Sequence, residues 1–110
     1  MSSDAARDLA LKINALREQA EEYEVVVKDL RYQHWLDIDT NQKELGLTNE
    51  TKRKMALEMR LEADETYSRI AKELKTLRQQ ISLLEIDEQY ERRKHQREYV
   101  QGLKDAAGVL

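Results

Sequence analysis

The chain has no proline, no cysteine and no phenylalanine, and only three glycines among its 110 residues. Each absence excludes something. Without proline and with little glycine, the strongest helix breakers are nearly missing. Without cysteine there can be no disulfide, no zinc thiolate site and no thiol nucleophile. Without phenylalanine the usual large filler of a globular core is gone, and Trp35 and five tyrosines supply all the aromatic residues. Long apolar runs are missing too. Stretches such as Val25 to Val27 fall far short of the roughly 20 residues that span a bilayer. An excess of one charge is also lacking: 19 basic residues against 22 acidic ones leave a net charge of −3, with no general attraction to nucleic acid or to an anionic membrane. The opening Met1-Ser2-Ser3-Asp4 lacks the basic-then-apolar run of a secretory signal, so a cytoplasmic location is expected.

What remains is rich in Ala, Glu, Lys, Leu and Arg, the composition of long helices that bury a narrow seam. Ser2 or Ser3 can cap a first helix, with Asp4 beside the positive end of its dipole. Apolar residues then recur at alternating spacings of three and four: Ala6, Leu9, Ile13, Leu16, Ala20, Tyr23, Val27 and Leu30. That is a heptad seam, and it decays at His34 and Asp37. Between Asp37 and Glu50 the residues Asp, Thr and Asn compete with helix through local side-chain bonds. Gly46 can take a left-handed C-cap, and Thr48 or Asn49 can cap the next helix, with Leu47 as a staple. A short extra turn fits within residues 40 to 45. The second seam runs through Ala56, Met59 or Arg60, Ala63, Tyr67, Ile70, Leu74, Leu77, Ile81 and Leu84.

The expected fold is therefore all-α: a long antiparallel, coiled-coil-like helical hairpin, one domain over residues 1–110. Helix 1 is expected at about 4–38, a loop at about 39–48 and helix 2 at about 49–101. Two registers match seam to seam. In the first, Ala6 meets Ile81, Leu16 meets Ile70 and Leu30 meets Ala56; the second is shifted by one heptad. The second needs helix through Asp37, Asp39, Thr40 and Asn41, which are poor helix formers, so the first is preferred.

Either register leaves the end of helix 2 without a partner, and an isolated helix of that length is marginal in water. There the apolar residues also change face, to Leu83, Ile86, Tyr90, Val100 and Leu103. These read as an oligomer interface, a dimer first, in which two hairpins make a four-helix bundle. Val25, Val26, Leu36, Ile38, Leu57 and Leu61 lie off the seam and widen the apolar stripe in the same sense.

Few residues suggest chemistry. Arg92-Arg93-Lys94-His95-Gln96-Arg97, between Tyr90 and Tyr99, could contact phosphates and stack on bases. The plainer reading is a solvated helix face, because Glu88, Glu91 and Glu98 stand at pairing distance and the stretch from Glu85 to Lys104 is neutral. Lys52-Arg53-Lys54 sits in the first turn of helix 2, where the dipole disfavours cations; Glu50 softens this. Asp37-x-Asp39-x-Asn41 has the opening of a calcium loop, but Gln42 stands where glycine is needed and Thr48 where a bidentate glutamate is needed. His34 falls on a seam position and reads as a partly buried interface histidine, since His95 is far along the fold. Trp35 is either an anchor for a partner or a lid on the bundle end. Met55 and Met59, with Leu61, read as flexible seam fillers. No nucleophile–base grouping and no glycine-rich phosphate loop is present, so no enzyme activity, metal or cofactor is expected.

Thr48-Asn49-Glu50, Lys52-Arg53-Lys54, Asp64-Glu65-Thr66-Tyr67 and Glu73-Leu74 together resemble a pattern in small helical proteins encoded by phages and prophages. The resemblance covers about 27 of the 110 residues, and Met55 departs from it where a small residue belongs. It implies an accessory of DNA recombination or replication and assigns no site. Two functions follow as expectations. The first is a self-associating structural module that presents a helix surface to a protein partner. The second is a phage-type accessory that touches nucleic acid through Lys52, Arg53, Lys54, Arg92, Arg93, Lys94 and Arg97.

Overall fold

The computed structural model describes residues 2–109, with side chains from residue 4 to residue 108. Among the described residues there are three helices and no strand: α1 (Ser2–Thr40), α2 (Glu50–Ala63) and α3 (Glu65–Val109). The chain is all-α, a long helical hairpin in which the turn after α1 reverses the direction and α2 and α3 return. The hydroxyl cap expected at Ser2 or Ser3 falls on side chains outside the described residues. No described helix is long and apolar enough to cross a membrane.

Two compact units build the chain, one from residues up to Glu18 with those from Leu77 onward, the other from Gln19 to Thr76. In the first, α1 and α3 run antiparallel around Ala6, Ile13, Leu77 and Ile81, all buried. Arg17 reaches Glu85 at 2.6 Å, and Ala6, Arg7 and Ala10 border the same groove as Arg92 and His95. Ala6 therefore lies beside Arg92 and not beside Ile81, so the one-heptad-shifted register is the nearer of the two. α1 runs through Asp37, Asp39 and Thr40 but stops before Asn41, within two residues of the expected end at about 38. The preference for the first register gave propensity too much weight, since burial outweighs a few tenths of a kcal/mol per residue.

In the second unit the core is Ile38, Leu57 and Leu61, with Trp35, Leu47, Ala56 and Tyr67 packed around it. These residues correct the seam. It does not decay at His34 but continues to Ile38, which is fully buried. Ile38, Leu57 and Leu61 are core, whereas Val25, Val26 and Leu36, grouped with them by sequence, are exposed. Of the two seam alternatives Met59 and Arg60, Arg60 is half-buried and Met59 exposed; Ala63, expected on the seam, is exposed, and Leu61 is buried. Met55 is exposed as well.

The turn is specified locally. Gly46 has φ +70, the amide of Gly46 donates to the carbonyl of Lys43 at 3.2 Å, and that of Leu47 donates to Gln42 at 2.7 Å. This is a Schellman closure, which favours glycine at the left-handed position. Leu47, next in the chain, packs on the Ile38 cluster. Asn49 then caps α2, its Oδ1 accepting from the amide of Thr51 at 2.7 Å.

The second helix expected at about 49–101 is two helices. At Asp64 the backbone turns extended (φ −81, ψ 104) for a single residue. Its amide still donates to Arg60, closing α2, while its Oδ1 accepts from the amide of Tyr67 at 3.0 Å, opening α3. Asp64 thus ends one helix and caps the next, the position where a short acceptor side chain is favoured. α3 also runs past residue 101 to Val109.

Candidate functional site

Two places carry organised side chains, one in each unit. The first is the joint at Asp64. Arg31, His34 and Asp37 stand three residues apart on α1, one turn after another on one face. Arg31 pairs with Glu58 at 2.8 Å, His34 Nε2 donates to Asp64 Oδ2 at 2.7 Å, and Arg60 pairs with Asp37. Beside Trp35 and Ile38, which carry the apolar seam onward, this edge of α1 is polar, and Arg31, His34 and Asp37 each meet a partner on α2 or at Asp64.

The electrostatics follow from these partners. His34, then the backbone amide of Tyr67, hold the Asp64 carboxyl below the usual carboxylate range, against a smaller opposing effect of burial. Asp37 is also held low, chiefly by Arg60. Burial pulls the Arg31 guanidinium down, but hydrogen bonds to Glu58 and Tyr67 outweigh it and raise it. The joint orders two helices: its histidine and its carboxylate bond each other, and the carboxylate also caps α3. His34 is the partly buried interface histidine that its seam position implied. The ionic partners on α2 and the double role of Asp64 were not foreseen. The available signal was an aspartate, a poor mid-helix residue, directly before Glu65 and Thr66.

The second place is the outward face of α3 in the first unit. Leu77, Ile81, Leu84, Glu88 and Glu91 point inward, buried or half-buried. Ile86 stands two positions from the inward Leu84 and Glu88, a rotation of about 200°, on the back of the helix, and Leu83, next to Leu84, lies on its flank. Leu83 is 64% exposed, Ile86 62% and Tyr90 58%. Val100 and Leu103 are exposed further along, where every residue from Arg92 to Gly108 faces solvent. Leu83 also forms one lip of an open groove with Lys12, Leu16, Gln80 and Leu84.

The basic candidates separate. Arg53 is turned into the loop, where its Nη1 donates to Gln42 Oε1 at 2.9 Å and to the carbonyl of Leu47 at 3.2 Å, with Nε buried and unpartnered. Lys54 pairs with Glu50 at 3.3 Å and Arg92 with Glu88 at 2.5 Å. So Lys52, Arg53 and Lys54 do not form one cationic surface. Lys52, Arg93, Lys94 and Arg97 are exposed, and none has an ion pair among the described residues. Although the stretch from Glu85 to Lys104 is neutral, Glu88 and Glu91 turn toward the seam and leave Arg93, Lys94 and Arg97 outside.

Among the described residues no three His, Cys, Asp or Glu side chains come together to hold a metal ion. Comparison with protein-family models, with curated proteins and with solved structures finds no match to this chain.

Proposed function

We propose that the chain is a non-enzymatic, cytoplasmic interaction module that self-associates, with the dimer, four helices in all where its first units pair, as the basic assembly. The observation that carries this reading is the row of large, exposed apolar side chains on α3, Ile86 and Tyr90 on the face turned away from α1 and Leu83 on the flank beside the groove to α1. Scattered exposed apolar residues are ordinary, but a row at helical spacing has the pattern of a second seam. Val100 stands further along that face, beyond Arg93 and Arg97, and Leu103 is exposed on another side of the helix. The test is mass in solution by light scattering on a sizing column at tens of micromolar. The expected result is a dimer that Leu83→Gln with Ile86→Gln converts to a monomer of unchanged helicity. A monomeric parent chain sinks the proposal.

A second reading has its own observation. Arg93, Lys94 and Arg97 share the exposed end of α3 with Tyr90 and Tyr99, while the neighbouring glutamates 88 and 91 turn inward. This supports a phage-type accessory of DNA recombination or replication, in line with the resemblance from Thr48 to Leu74. Binding to single-stranded DNA that weakens steeply with salt, and is lost in an Arg93→Glu, Arg97→Glu variant, would favour it.

A further inference from the structure

The outward residues of α3 form a regular series: Leu83, Ile86, Tyr90, Arg93, Arg97, Val100 and Lys104, at alternating spacings of three and four. That is the coiled-coil period. α3 therefore carries two seams on opposite faces, and within the first unit α1 covers only the inner one. The outer seam is asymmetric along its length. Its first half is apolar, at Leu83, Ile86 and Tyr90, and its second half is mainly cationic, at Arg93, Arg97 and Lys104.

We propose that a second copy of the chain occupies this seam with its α3 antiparallel, the two-fold axis passing at the level of Glu88. The inference rests on the reading above that the chain self-associates. Charge disfavours the parallel alternative, which would stack Arg93 on Arg93 and Arg97 on Arg97 inside a partly desolvated contact, where like charges oppose association. The antiparallel arrangement sets Ile86 of each copy against Tyr90 of the other, so the apolar residues of both copies form one cluster. It carries Arg97 and Lys104 outward to the two ends, far from their equivalents. Arg93 then lies across from Leu83 of the other copy, its stem over the apolar side chain. One turn away is Asp87 of the other copy, an exposed acid with no ion pair among the described residues. Both copies use the same patch, as a closed two-fold interface requires. The cluster is small, so a dissociation constant in the micromolar range is expected.

The absence of cysteine makes the test clean. Leu83→Cys and Arg93→Cys are made as separate single variants, one carrying a size tag, and oxidised alone and as an equilibrated mixture. In the antiparallel dimer equivalent positions lie about 15 Å apart along the axis, at 1.5 Å per residue, beyond the roughly 7 Å a disulfide tolerates. Each variant alone then stays uncrosslinked, and the mixture yields covalent heterodimers. Crosslinking of either variant with itself overturns the antiparallel assignment and leaves self-association standing. No crosslink in a chain that light scattering shows to be dimeric overturns this seam as the interface. A parent chain that is monomeric at tens of micromolar overturns both this inference and the reading beneath it. As an independent check, Asp87→Arg and Arg93→Asp should each weaken the dimer about tenfold, and the two together should restore it; failure of the double variant to recover counts against the pairing.

Discussion

Leu36 and Ile38 are two positions apart on α1 and so on opposite faces, and the fold treats them oppositely: Ile38 is 0% exposed and Leu36 48%. Replacing each with alanine tests the second unit's core. Ile38→Ala removes three carbons from contact with Leu57 and Leu61. At about 0.8 kcal/mol per buried carbon group the transfer loss is about 2.4 kcal/mol, and a residual cavity adds to it. Alanine's better helix propensity returns a few tenths of a kcal/mol. The net expectation is about 2–3 kcal/mol, or a drop of roughly 10 °C in melting midpoint for a chain of this size. Leu36→Ala should stay within about 0.5 kcal/mol of the parent. Urea unfolding followed by circular dichroism at 222 nm, at one fixed protein concentration, measures both. If the two variants differ by less than about 1 kcal/mol, the seam does not extend past His34, and the assigned core is wrong.

The joint at Asp64 gives a pH dependence. Asp64 and Asp37 titrate below their ordinary value of 3.8, so the stability they contribute is complete well above that value and is lost as pH falls through their lowered folded values. The melting midpoint of the parent should therefore fall more steeply below about pH 4 than that of an Asp37→Asn, Asp64→Asn variant; parallel profiles would refute the assignment. At pH 7, Asp64→Ala should lower the midpoint through loss of the cap and of the His34 bond, while Asp64→Asn, which keeps a capping acceptor, should lower it less. Gly46→Ala forces a side chain into the left-handed region at φ +70 and should cost about 1 kcal/mol in urea titration, although nothing crowds its Cβ. An unchanged midpoint there would mean that the turn after α1 does not depend on the left-handed conformation at Gly46.

Some of this was legible in the residues and some was not. The turn is the clearest success of local chemistry: Gly46 closes it, Asn49 caps the helix that follows, and both roles depend on a residue and its immediate neighbours. The inner seam from Ala6 to Leu30 was equally plain, because burial on one face leaves a period that no nearby residue can disguise. The helix break at Asp64 was hidden by the lack of proline and glycine around it. An aspartate can stop a helix only if something repays the lost helical bonds, and here His34, thirty positions away, helps hold it.

By itself the sequence determined that the chain is helical, that it reverses near Gly46, and which face of α1 turns inward, since propensity, capping and periodicity are properties of short segments. Only the tertiary structure decided the pairing of the helices and the division at Asp64. Only it showed that Ile38 and Leu61 are core while Met59 is surface, and that Glu88 and Glu91 face in while Arg93 and Arg97 face out. Those choices depend on which side chain meets which across the interface, and shifting a repeating seam by one heptad leaves the local pattern of either helix unchanged.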